Sequence, residues 1–168
     1  MVTPYDRGGD RGAELERLRY DDETAFALAD DAATVARITR TVSPERLRAT
    51  TFGEWTALEV IGHLADAAEI FAERIQRCVD ENRPAIASYD QDALAAERRN
   101  GEREPLELSR RLSAAHSRIV QLLQRTELRS RPAIHSAWGE VDAGHFAAYQ
   151  ADHAHGHVGE LAQAFPPA

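Results

Sequence analysis

A chain of 168 residues, 43% apolar and 7% aromatic, is long enough for one domain with a real core and too short for two. Its net charge of −8, with 20 arginines and no lysine, argues against nucleic acid or an anionic membrane as a partner. The lone cysteine, Cys78, excludes an intrachain disulfide framework, and no apolar run is long enough to span a bilayer. The first dozen residues are polar, contain Gly8, Gly9 and Gly12, and lack the apolar centre of a signal peptide. They read as a flexible tail (1–12) ahead of one domain (13–168), with the cytoplasm as the default compartment.

The first expected helix runs from about Asp22 to Val42, with Phe26, Ala29, Ala33, Ala36 and Ile38 as its apolar face. Ser43-Pro44-Glu45 reads as a cap followed by proline at the first helical position. The second helix has the clearest start. Thr56-Ala57-Leu58-Glu59 is a capping box, with Trp55 and Val60 placed as a hydrophobic staple. It runs to about Asp80, ahead of Pro84. The stretch 84–101 is less regular, with room for a short helix from Asp92 to Arg99. A third helix runs from Pro105 to about Thr126 on Leu108, Leu112, Ala115, Ile119, Leu122 and Leu123. Residues 128–140 read as irregular or extended. Asp142 caps a fourth helix to about Ala164, with Val141 and Phe146 as a second staple. Four long amphipathic helices and no clear strand set predict an all-α helical bundle.

The seven histidines are not equivalent. His153 and His157, four apart on the last helix, share a face with Cβ atoms about 5–6 Å apart, a spacing that can ligate one ion. The same spacing also describes a polar stripe near a chain end. His155, between them, points away and reads as solvated. His63 sits at the margin of the second helix's apolar arc of Leu58, Val60, Ile61, Leu64, Ala68, Phe71 and Ile75, and so points partly inward. A lone inward histidine is equally a hydrogen-bonded core residue. Bundles, however, build metal sites from inward side chains on facing helices.

The segment from Trp55 through Thr56, Glu59 and His63-Leu64 resembles the second-helix signature Trp-Ser/Thr-x-x-Glu-x-x-x-His-Leu of the DinB-like superfamily. Gly139, followed by His153, His157 and Glu160-Leu161, resembles its last-helix signature. Ala154 and Glu160 stand where that signature commonly has Asp and Gln. The resemblance implies an up-down-down-up four-helix bundle in which His63, His153 and His157 hold a divalent metal, zinc or nickel, with one side open. It also implies a homodimer acting on a small-molecule substrate.

Three neutral imidazoles leave the ion's charge uncompensated and its remaining positions open, the pattern of a catalytic site. The resemblance makes a thiol S-transferase the leading expectation, with a low-molecular-weight thiol of the bacillithiol or mycothiol type transferred to an electrophile. A metal-dependent hydrolase is the second expectation, with Glu160 or Asp66 as general base; both also read as solvated helix carboxylates. A non-catalytic binding or stress-response protein is the third, and three core histidines without metal the fourth. Trp55 and Tyr149 read as packing residues, His135 and Trp138 as loop anchors, and Cys78 as a small core residue.

Overall fold

The computed structural model describes residues 18–168, so the expected tail over 1–12 lies outside the described residues. Helix α1 (Asp22–Thr41) opens on a capping box: the Asp21 carboxylate accepts from the Thr24 amide at 2.9 Å and the Thr24 hydroxyl reciprocates. Its buried face is Leu28, Ala32, Val35 and Ile38. The face expected from Phe26, Ala29 and Ala33 instead points to solvent, with Phe26 71% exposed. The larger side chains set the rotation of this helix, because burying Leu, Val and Ile removes more apolar area than burying alanines.

Ser43 caps the short α2 (Pro44–Ala49), and a hairpin of β1 (Thr51–Phe52) and β2 (Trp55–Thr56) turns at Gly53 with φ +61°. Helix α3 (Ala57–Asp80) follows, with every residue of its expected apolar arc buried. A crossover then carries β3 (Ala85–Ile86), α4 (Gln91–Arg98) and a 3-10 turn (Asn100–Glu102). Helix α5 (Pro105–Leu122) ends short of the expected Thr126, and a separate 3-10 turn takes up Thr126–Ser130. The stretch expected to be irregular or extended contains β4 (Pro132–His135) and leads into β5 (Gly139–Asp142) before α6 (Ala143–Ala164).

Helices α1 and α3 each pack against both α5 and α6, giving the cyclic order α1-α5-α3-α6. Side-chain pairs fix the directions. Arg37, late in α1, bonds the carbonyl of Phe165 just past α6, so these two helices run parallel. Arg111 meets Asp66 and Arg118 meets Gln76, so α5 runs parallel to α3. His63 meets His153 while Phe71 meets Phe146, so α3 opposes α6. The result is an all-α, up-down-down-up four-helix bundle.

Two parallel neighbours, α3 and α5, need a connection that returns the length of the bundle, and the crossover supplies it. At the lower end β3 pairs in parallel with β4, which pairs antiparallel with β5. The core of Phe71, Phe146 and the aliphatic side chains lies between the four helices. Among the described residues, no helix is long and apolar enough to cross a membrane.

Candidate metal centre

His63 lies in the second turn of α3, and the start of that helix is fixed locally. The Thr56 amide donates to Glu59 Oε1 at 3.1 Å, and the Glu59 amide donates to Thr56 Oγ1 at 3.2 Å. Six residues after Thr56, the chain must pass close to the crossover. A Cβ at Gly62 would overlap the side chain of Asn100, so glycine permits the approach. Asn100, buried and carried behind the left-handed Arg99, donates from Nδ2 to Asp66 Oδ2 at 3.0 Å. These contacts fix the rotation of α3 that aims His63 at α6.

On α6, Asp142 caps the helix and accepts from the His145 amide at 2.8 Å. Farther along, His153 and His157 face α3, while His155 between them reaches α1. The His155 imidazole is 74% exposed, yet its Nδ1 lies 3.1 Å from Oδ2 of the buried Asp31. The expectation of a solvated bystander is therefore half corrected: the ring is in solvent but pinned to a carboxylate. Burial pushes the Asp31 carboxyl up in pKa, and the His155 bond works against that shift.

The two helices bring the three imidazoles together. His63 Nε2 and His153 Nε2 are 3.1 Å apart, and the ring centroids of the triad are 4.9, 5.2 and 4.9 Å apart. One ring nitrogen from each lies within 4.8 Å of the others. Three atoms so spaced lie within about 2.8 Å of a shared centre, close to the ~2.0–2.1 Å of zinc–nitrogen bonds. Nitrogens on a tetrahedral ion are roughly 3.3 Å apart, the scale of the His63–His153 separation.

Burial, with a smaller contribution from the charge of His157, pushes His63 down to about 3. Burial also lowers His157, opposed by Glu160. Both rings are therefore neutral at pH 7 and keep a lone pair for a cation. The residues fit a divalent ion.

His63 and His153 are buried, whereas the His157 side chain is 22% exposed, so the triad reaches solvent along its His157 edge. Glu160 Oε1 lies 3.9 Å from His157 Nδ1, and its side chain is 54% exposed. Asp66, the other candidate base, is buried and engaged. It accepts from Arg111 at 2.7 Å and from Asn100, with Arg98 at 3.9 Å, and Arg111 also pairs with Glu69. The structure thus ties Asp66 to α5 and the crossover and leaves Glu160 beside the triad.

Aromatic rings continue from the histidines along α6. The Trp55 ring is 4.8 Å from His63, and Tyr149 stacks 6.2 Å from His153 with Trp138 beyond it at 4.8 Å. His135 anchors its loop as expected, accepting at Nδ1 from the amides of Ala137 and Trp138. His116 and His145, for which the sequence named no partner, bond Leu28 with Gln150 and Asp142 respectively. Cys78 is a buried core residue whose thiol burial raises to about 12, which rules it out as a nucleophile at neutral pH. The Gly62–Asn100 contact and the Asp31–His155 pair escaped sequence reasoning. The signal for the first was a glycine inside a strong helix, immediately before His63.

The sequence matches the DinB superfamily over residues 11–161. Comparison with curated proteins gave no match. Among solved structures, the chain is similar to YfiT from Bacillus subtilis, described as a probable metal-dependent hydrolase with an unusual four-helix bundle topology. The two are 22% identical, the similarity covers 88% of each chain, and the TM-score is 0.70.

Proposed function

The chain belongs to the DinB superfamily, and from that premise we propose that it is a metal-dependent hydrolase whose His63, His153 and His157 hold one zinc or nickel ion. The observation that carries this reading is the convergence of three ring nitrogens, two of them from buried residues, within 4.8 Å of one another. The description of YfiT as a probable metal-dependent hydrolase supports the same reaction class. A divalent ion bound there supplies Lewis-acid chemistry and makes a water acidic near neutral pH.

The protein's own residues have separate tasks. Burial keeps His63 and His153 on rigid helices and excludes water from their side of the triad. The His157 edge is the side on which substrate enters. Glu160, one turn past His157 and open to solvent, accepts at Oε1 the proton of a water attacking an ester or amide carbonyl. It then returns that proton to the leaving oxygen or nitrogen. Asp66 serves the scaffold through Arg111 and Asn100.

The test offers zinc- and nickel-loaded protein a panel of esters and amides without any thiol. Expected are turnover that H153A abolishes and a loss of roughly a hundredfold in E160Q, the scale of one general base. Turnover that requires glutathione, mycothiol or bacillithiol would replace hydrolysis by thiol transfer. Tight binding without turnover would make the protein a binding module.

A further inference from the structure

The lower end of the bundle, away from the triad, holds a second polar site. An open cavity of ≈ 370 Å³ lies where β5 gives way to α6, lined among others by Arg19, Tyr20, Arg129, Ser130, Asp142 and Gly144. Its size is at the lower end of the range for small-molecule pockets.

Three independent features of this cavity suit an anion. Tyr20 is only 9% exposed, yet among the described residues its hydroxyl has no hydrogen-bond partner, a costly arrangement that a ligand oxygen relieves. The Arg129 guanidinium sits 4.9 Å over the Tyr20 ring. Its Nε donates to the Leu123 carbonyl, which holds the side chain in place, and it pairs with no carboxylate of the described residues. The remaining guanidinium donors suit the two oxygens of a carboxylate or phosphate.

The third feature is the N-terminus of the 22-residue α6, whose dipole favours negative charge, although the Ala143 and His145 amides already donate to the Arg131 carbonyl and to Asp142. Gly144 in that turn matters: a Cβ there would come within 3.1 Å of the Arg129 carbonyl and 3.3 Å of Asp142 Oδ1. Asp142 is the opposing charge in the cavity. Its carboxylate is engaged by His145, and Arg19 offsets its charge; Asp21 and Asp22 also act on Tyr20, and Arg129 in turn adds to the Thr24 hydrogen bonds in holding the exposed Asp21 carboxyl down.

We propose that this cavity binds a small oxyanion, a phosphate or carboxylate group, through the Arg129 guanidinium and the Tyr20 hydroxyl at the start of α6. The hydroxyl donates to one ligand oxygen and the guanidinium to one or two others. The site is separate from the metal centre and independent of the hydrolase reading.

Isothermal titration calorimetry of the full chain with inorganic phosphate and with acetate tests the proposal. The wild type should bind one of the probes saturably at one site, and the tighter probe names the ligand group. Y20F keeps the ring under Arg129 and removes only the hydroxyl; it should weaken binding about tenfold, the scale of one charge-assisted hydrogen bond. R129Q should abolish binding, and H153A should leave it intact. Absence of saturable binding for both probes, or binding that survives both Y20F and R129Q, would overturn the proposal. Because Arg129 also braces Leu123, Y20F decides the matter if R129Q fails to fold.

Discussion

His116 shows how single buried residues tie this fold to pH. Its Nδ1–H donates to the Leu28 carbonyl at 2.7 Å, and its Nε2 then accepts from the Gln150 amide at 3.1 Å, so the ring is neutral and joins α5, α1 and α6. Burial lowers it to about 4, against the ordinary 6.5 that it regains on unfolding. Between those values the unfolded chain binds a proton that the native ring refuses. Stability from this residue is therefore complete above pH 6.5 and is lost as pH falls towards 4, by up to roughly 1.4 kcal/mol per pH unit. Urea denaturation from pH 7 to 5 should show this slope in the wild type and a shallower one in H116Q.

None of this was legible in the sequence, where His116 had no visible partner. Its acceptor lies 88 residues away, on a helix whose alanine-rich pattern does not specify its buried face. The three converging histidines were legible for the opposite reason. Their spacing on two strongly patterned helices, together with a family signature, specified one face of each.

Helices and strands form where the sequence predicts them only where the local signals are strong. Helix α3 begins at its capping box and buries the whole expected arc, because its apolar residues are large and keep one period. Helix α1 has its expected length but not its expected face, because alanines carry little information about direction. The short strands are set by long-range pairing, β3 with β4 above all, which no local pattern announces.

Two predictions belong here. Thr56→Ala removes the hydroxyl that satisfies the Glu59 amide and should cost about 1 kcal/mol in urea unfolding. Gly62→Ala drives a methyl group into Asn100 and should cost about 1–3 kcal/mol. That penalty should shrink in an Asn100→Gly background, because alanine there would keep the Cβ that also meets the new methyl; equal penalties in the two backgrounds would show that the contact does not set the position of α3.

For the whole molecule, the topology explains why the site sits where it does. The chain returns through the crossover to start α5 beside α3, which leaves α3 free to oppose α6 along its length. His63 thereby meets His153 across 90 residues of sequence. An ion held by both helices, as proposed, would brace the upper end of the bundle and bind the folded chain in preference to the unfolded one. Zinc at about a thousandfold over its dissociation constant should therefore add roughly 4 kcal/mol of stability. The same addition should leave the melting temperature of H63A/H153A/H157A unchanged.

Anomalous X-ray diffraction from crystals of the zinc-loaded protein tests the convergence itself. The account predicts a single strong peak about 2.0–2.1 Å from a ring nitrogen of each of His63, His153 and His157. Zinc held by other residues, or density between these rings without an anomalous signal, would contradict it.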